Sequence, residues 1–133
     1  ESLRLLYEEG LEARWERHLR NAEALISGLE ALNLEIHAEK QHRCPAIIAV
    51  RVPDGVKDQN VRKTLLEEFN ITISGGLGKL KGKLWRIGLM GINSCKRNVI
   101  LVLEALEQAL KKEGYPVKLG TGVAAAMEAL SSD

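Results

Sequence analysis

Residues Ile71–Gly91 read ITISGGLGKLKGKLWRIGLMG, and they predict a short strand, a glycine-rich loop and a second, apolar strand. The second strand carries one charged side chain, Arg86, between Trp85 and Ile87. Because side chains alternate between the two faces of a strand, Arg86 is predicted to point away from the larger apolar face of Trp85, Ile87 and Leu89. A guanidinium stays protonated in proteins, so Arg86 needs either an anion or access to water.

The residues alone leave two interpretations of Arg86 open. In the first, Arg86 lies on an edge strand, where it is solvated or paired with a local carboxylate. In the second, its forked guanidinium binds a carboxylate ligand, and Gly75, Gly76 and Gly78 leave room for that ligand to approach the backbone.

The segment before this stretch begins with a predicted amphipathic helix over residues 1–32. Its apolar stripe recurs at alternating steps of four and three: Leu11, Trp15, His18, Ala22, Leu25, Leu29 and Leu32. A coiled coil is the competing interpretation, but His18 and Ala22 within the seam count against it. His18 is predicted to be a seam residue whose polar edge is satisfied, not a catalyst.

The remaining elements alternate between strands and helices. Strands are predicted at 34–38, 46–52 and 71–73, and a helix at 58–69 that Asn70 ends in a left-handed conformation. A third helix, capped by Asn93 or Ser94, is predicted to bury Val99, Leu103, Leu106 and Leu110, to expose Glu104, Glu107, Lys111 and Lys112, and to hold Cys95 in its first turn. A short helix opened by Thr121 follows. This order predicts an α+β fold, a small, mostly antiparallel sheet with helices packed on one face, preceded by a long helix.

Composition limits the classes of function. A chain of 133 residues that is 45% hydrophobic can form one globular domain, and its net charge of +1 gives no electrostatic reason to expect nucleic acid or membrane partners. No apolar run is long enough to span a bilayer, and neither a secretion signal nor a peroxisomal C-terminal signal is visible. We therefore expect a cytoplasmic or other reducing compartment, since Cys44 and Cys95 lie too far apart in sequence to indicate a disulfide framework.

Metal and phosphate sites are not supported by the spacing. His37, His42 and Cys44 match no standard zinc pattern and lack a fourth ligand. The glycine loop fails the Walker A test because Leu77 stands five residues before Gly82. Lys79, Lys81 and Lys83 are interpreted as a solvated loop edge, with closure of the loop over substrate as the less favoured alternative.

The segments Gly75-Gly-Leu-Gly78 and Gly82-Lys-Leu-Trp-Arg-Ile-Gly-Leu-Met-Gly91, together with Asn93, carry a family resemblance. Over roughly residues 1–112 the chain resembles the C-terminal small domain of class V (fold-type I) pyridoxal-phosphate aminotransferases, especially the alanine–glyoxylate and serine–glyoxylate branch. The resemblance implies that Arg86 binds the α-carboxylate of the substrate. It also implies a small domain over 1–114, with 1–32 as the long linking helix, and a C-terminal tail over 115–133.

The resemblance further implies that the chain acts only as part of a larger enzyme. The cofactor, pyridoxal 5'-phosphate, would be bound by a large domain outside these residues, and the Schiff-base lysine would lie upstream. The expected partners are that large domain, a second subunit in a homodimer, and small amino acid and 2-oxo acid substrates. Because the chain begins without methionine in what reads as helix, we expect a fragment that is inactive alone. The alternative is a stand-alone α+β regulatory or protein-interaction module.

Overall fold

The computed structural model describes residues 1–132 and contains a three-stranded antiparallel sheet in the order β1-β3-β2. The strands are β1 (Ile47–Arg51), β2 (Ser74–Gly75) and β3 (Leu84–Gly88). The helices are α1 (Ser2–Glu9), α2 (Leu11–Ala31), α3 (Asp58–Phe69), α4 (Lys96–Lys112) and α5 (Thr121–Ser131). The predicted α+β class with a small antiparallel sheet is confirmed.

One face of the sheet packs against the helices, and the other, called the open face, is largely exposed except at Leu84. On the covered face, Val50 lies opposite Trp85 and Ile48 opposite Ile87, and all four side chains are buried. This face joins the buried sides of α2, α3 and α4 in one apolar core. The predicted alternation of β3 is confirmed, because Trp85, Ile87 and Leu89 all belong to that core.

The predicted helix over residues 1–32 is divided in two. Gly10, at φ 81° and ψ 146°, separates α1 from α2, and an ordinary side chain adopts such a positive φ only at a cost. The second half of the predicted stripe is buried, including Ala22, Leu25 and Leu29, whereas Trp15 is 63% exposed. The predicted stripe is therefore buried against the rest of the described chain only over its second half.

Two predicted strands are shorter or displaced. The segment 34–38 meets β1 through a single bridge between Ile36 and Val50. The strand predicted at 71–73 lies instead at β2, one residue later. Residues 71–73 connect α3 to β2 and are not part of a strand. Asn70 adopts the predicted left-handed conformation, at φ 54°, and ends α3.

Helix α4 buries the predicted face of Val99, Leu103, Leu106 and Leu110. Its start differs from the prediction, because Cys95 is the N-cap and the helix begins at Lys96. Glu107, predicted to be exposed, is only 2% exposed. Its carboxylate accepts hydrogen bonds from the backbone N–H groups of Gly120, Gly122 and Val123 at the start of α5.

Helix α5 packs against α2 and α4, in a segment to which the sequence assigned no role. A methyl group on Gly28 would lie 2.9 Å from the carbonyl oxygen of Gly122, and one on Gly122 would lie 3.0 Å from the carbonyl oxygen of Gly28. The two helices can approach this closely only because neither residue has a side chain at their contact. The division at residue 114 stays a prediction, but residues 121–131 pack on the same core as the sheet.

Candidate functional site

Arg86 lies at the centre of the open face of the sheet. It belongs to β3, the central strand, where it pairs with Ala49 on β1 and Ser74 on β2. The edge-strand position considered from the sequence is therefore wrong. The side chain of Ala49 is too short to cover the guanidinium, and Arg86 remains half-buried.

The Arg86 guanidinium is held at one nitrogen and open at the other two. Its Nε donates a hydrogen bond to the carbonyl oxygen of Gly75 at 2.9 Å. Within residues 1–132, its Nη1 and Nη2 donate no hydrogen bond and it forms no salt bridge with a carboxylate. An arginine held in this way presents a forked pair of donors that matches the geometry of a carboxylate.

The three glycines predicted to make room for a ligand have different surroundings. A methyl group on Gly76 would lie 2.0 Å from the carbonyl oxygen of Leu80, so the loop backbone itself fills the space beside Gly76. Gly78 has a φ of +55° and nothing within 4 Å of a Cβ position. A methyl group on Gly75 would touch Cζ of Arg62 at 3.4 Å, an ordinary contact. The position of the loop backbone thus explains why residue 76 is a glycine, and no ligand is needed to explain it.

A second charged side chain, Arg62, lies beside Gly75. Arg62, on α3, donates from Nε and Nη2 to the two carboxylate oxygens of Asp58 at 2.8 and 3.0 Å. The hydrogen bond with Asp58 raises the pKa of Arg62 above its ordinary value. The spacing of four between Asp58 and Arg62 could have predicted the ion pair from sequence, but nothing local in the sequence indicates that Arg62 reaches Gly75.

The turn that follows β3 is tied to α2. His18 donates from Nδ1 to the carbonyl oxygen of Arg14, and its Nε2 accepts from the N–H of Gly91 at 3.0 Å. The prediction that the polar edge of His18 is satisfied is confirmed. Arg17 donates to the carbonyl oxygens of Gly91 and Ser94.

Arg17 is itself held by a carboxylate at the end of α1. Its Nε and Nη2 donate to the two oxygens of Glu9 at 2.5 and 2.9 Å. This hydrogen-bonded pair lowers the pKa of Glu9 from its ordinary value and raises that of Arg17. The Glu9–Arg17 pair therefore joins α1, α2 and the turn that ends the arginine strand.

Residues 1–132 contain no cluster of three or more His, Cys, Asp or Glu side chains that could hold a metal ion. None of the helices in this range is long and apolar enough to cross a bilayer. Every lysine of the chain is exposed, and none lies in a buried pocket: Lys40, Lys57, Lys63, Lys79, Lys81, Lys83, Lys96, Lys111, Lys112 and Lys118.

Comparison with curated proteins gives several aminotransferases. The chain is 38% identical over 128 residues to the (S)-ureidoglycine–glyoxylate transaminase of Bacillus subtilis, covering 96% of this chain and 31% of that protein. It is 44% identical over 112 residues to the alanine–glyoxylate aminotransferase of Callithrix jacchus, covering 84% of this chain and 27% of that one. No family model matches the chain.

Solved structures give the same result. The crystal structure of the Bacillus subtilis ureidoglycine–glyoxylate aminotransferase matches 95% of this chain and 33% of its own length at a TM-score of 0.92. The pyridoxamine–pyruvate aminotransferase of Mesorhizobium loti, at 35% identity, matches 98% of this chain and 34% of its own length at a TM-score of 0.93. The chain thus spans about a third of the length of the relatives it matches.

Proposed function

The chain matches the C-terminal small domain of class V aminotransferases, and from this premise we propose that it supplies the substrate-carboxylate-binding arginine of a pyridoxal-phosphate-dependent transaminase. The whole activity would need the part of the relatives' length that this chain does not span. The observation that carries the proposal is the state of Arg86, which is anchored at Nε while its two Nη groups have no partner within residues 1–132.

The role proposed for Arg86 follows from its geometry. The hydrogen bond to Gly75 uses Nε alone, so Nη1 and Nη2 remain available as a pair of donors. A substrate carboxylate bound end-on by this pair would be fixed in both position and orientation. That restriction lowers the entropy cost of placing the reacting carbon beside a cofactor.

The cofactor would not be held by these residues. A Schiff-base lysine needs a buried or otherwise perturbed environment, and each lysine of this chain is exposed. Pyridoxal phosphate is implied by the family of relatives. We infer that the large domain outside this chain binds it, so the chain alone would be catalytically inactive. A homodimer is proposed on the same basis.

The substrates proposed are a small amino acid, alanine or serine, as amino donor and glyoxylate as acceptor. Two relatives support the acceptor because their names include glyoxylate. The named amino donors differ, since one relative is a ureidoglycine transaminase and another a pyridoxamine–pyruvate transaminase. A carboxylate is common to these acceptors, glyoxylate and pyruvate, and it is the group that Arg86 would bind.

The test compares the full-length polypeptide that carries this chain with its Arg86→Ala and Arg86→Lys variants in alanine–glyoxylate and serine–glyoxylate transamination. Removing one partner of a desolvated charge pair costs about 2–5 kcal/mol, so kcat/KM should fall by roughly one and a half to three and a half orders of magnitude in Arg86→Ala. Arg86→Lys should recover only part of the loss, because a point charge lacks the fork. Arg97→Ala, which removes an exposed arginine from α4, is the matched control.

The possible results separate the alternatives. An active parent that is indifferent to Arg86 would mean that this arginine has no part in carboxylate binding. A parent that neither transaminates nor binds pyridoxal phosphate would favour the alternative, a stand-alone regulatory or protein-interaction module.

A further inference from the structure

We propose that the Asp58–Arg62 ion pair of α3 positions Arg86 for carboxylate binding, acting through the Gly75 peptide. The proposal rests on the proposed function, because it assumes that Arg86 binds the carboxylate. It assigns to Asp58 and Arg62 the role of positioning residues that do not touch the ligand.

The first step is that Arg62 has a fixed orientation. Both oxygens of Asp58 accept from Arg62, at 2.8 Å from Nε and 3.0 Å from Nη2. The Asp58 side chain is only 7% exposed, compared with 36% for Arg62. A bidentate bond to a buried carboxylate restricts the plane of the guanidinium far more than an exposed ion pair does.

The second step is that this guanidinium lies beside Gly75. A methyl group on Gly75 would lie 3.4 Å from Cζ of Arg62 and 3.5 Å from its Nε and Nη2, so Arg62 occupies the space next to the one that a side chain would fill. Gly75 pairs with Trp85, whose side chain is on the covered face, while Ser74 pairs with Arg86 on the open face. Arg62 therefore lies beside Gly75 on the covered side of the sheet.

The third step is that Gly75 holds Arg86. The carbonyl oxygen of Gly75 accepts the hydrogen bond from Nε of Arg86, the one hydrogen bond of that guanidinium within residues 1–132. Any displacement of the Gly75 peptide would turn the guanidinium and move both Nη donors. The orientation of the fork thus depends on the position of one carbonyl group.

The fourth step is that Gly75 has little other support. Strand β2 is two residues long and lies at the edge of the sheet, beside β3 only. The N–H of Gly76 donates to Leu84 at 2.9 Å, and the loop beyond it is exposed from Leu77 to Lys83. A short edge strand next to an exposed loop is a segment of low local stability. On the covered side, the Arg62 guanidinium limits how far the Gly75 peptide can move.

The experiment is a double-mutant cycle on ligand binding in the full-length polypeptide. The dissociation constant of propionate, a carboxylate without an amino group, is measured by calorimetric titration for the parent, Arg62→Ala, Arg86→Ala and the double variant. Arg62→Ala should weaken propionate binding by roughly 2- to 100-fold, the range of couplings between residues in contact. In the Arg86→Ala background the same substitution should have little effect, since no fork remains to be positioned.

Two further variants exclude simpler explanations. Lys63→Ala removes a positive charge from the same helix and breaks an exposed pair with Glu67, so a purely electrostatic contribution of α3 would appear there too. Asp58→Asn keeps the shape of the side chain while weakening its hold on Arg62, and it should reproduce part of the Arg62→Ala loss. Both should retain the parent's circular dichroism spectrum.

The outcomes are distinct. The proposal is supported if Arg62→Ala weakens propionate binding in the parent but not in the Arg86→Ala background. Equal loss in both backgrounds, or no loss in Arg62→Ala while Arg86→Ala binds weakly, overturns the positioning role and leaves the proposed function intact. Parent-like propionate binding in Arg86→Ala would overturn the proposed function itself.

Discussion

At the scale of single residues, the glycine loop shows how a functional pattern can have a structural cause. Gly75 and Gly76 are neighbours in sequence, yet only Gly76 lies where its own loop leaves no space for a side chain. From the sequence, both glycines were predicted to leave room for a ligand. A sequence does not distinguish a glycine that makes room for a ligand from one that makes room for a carbonyl group of its own loop.

We predict that Gly76→Ala destabilises the chain and Gly75→Ala does not. The new Cβ at Gly76 would lie 2.0 Å from the carbonyl oxygen of Leu80, so the backbone must shift, at a cost of about 1–3 kcal/mol. At Gly75 the new methyl group would meet Arg62 at 3.4 Å, so the change should stay within about 0.5 kcal/mol. Urea unfolding of the two variants measures the difference, and equal midpoints would contradict it.

At the scale of elements, α5 depends on a side chain from another helix. Its N-terminus has no side-chain cap of its own. Glu107 of α4 supplies the missing acceptor by binding the N–H groups of Gly120, Gly122 and Val123. A negative charge at a helix N-terminus is also favoured by the helix dipole. The carboxylate therefore fixes both the start of α5 and its distance from α4.

We predict that Glu107→Ala destabilises the chain by about 1–3 kcal/mol, because it leaves the buried N–H of Gly122 without a partner. Glu107→Gln should cost less but still destabilise, since the amide has one acceptor oxygen and directs an N–H₂ group toward other donors. The exposed Glu104 of the same helix provides the control substitution, Glu104→Gln. Tryptic cleavage after Lys118 should become faster in Glu107→Ala. Cleavage at the parental rate would show that α5 docks without this cap.

The elements that the sequence predicted well are those whose signal is local. The alternation of Trp85, Arg86 and Ile87 required only the period of a strand, and Asn70 ended α3 as its residue type favours. Glu107 was predicted to be exposed because it is charged and was assigned to the side of the helix opposite the apolar face. Its buried position depends on α5, which begins more than ten residues later, and no local pattern contains that contact.

The same reasoning applies to the candidate site. Arg86 could be singled out from the sequence because a charged residue in an apolar strand is unusual, but the residues alone left its role open and only the family resemblance favoured carboxylate binding. Its position on the central strand, and its contact through Gly75 with Arg62, depend on how β2 and α3 meet. Those relations arise from tertiary packing between segments that are separate in sequence.

At the scale of the whole molecule, the chain carries an apolar stripe that its own core does not cover. Large apolar residues recur at steps of four along α1 and the first half of α2, and all of them are exposed. They are called the N-terminal apolar stripe: Leu3, Tyr7, Leu11, Trp15 and Leu19. Since the chain spans 31% of its Bacillus subtilis relative, we infer that the large domain of the full-length polypeptide covers this stripe.

The two tryptophans make this inference measurable, because Trp85 is fully buried and Trp15 is 63% exposed. We predict that acrylamide quenches about one of the two tryptophan signals in the 133-residue chain, and that Trp15→Phe removes the quenched component. In the full-length polypeptide, the quenching of Trp15 is obtained as the difference between the parent and its Trp15→Phe variant. It should be several-fold lower than in the 133-residue chain, because a covered indole is inaccessible to acrylamide. Trp85 is the internal reference, since its side chain is fully buried within the core of this chain. Equal quenching of Trp15 in the two proteins would mean that the stripe faces solvent in the complete enzyme, and the covering surface would then have to be sought on another protein.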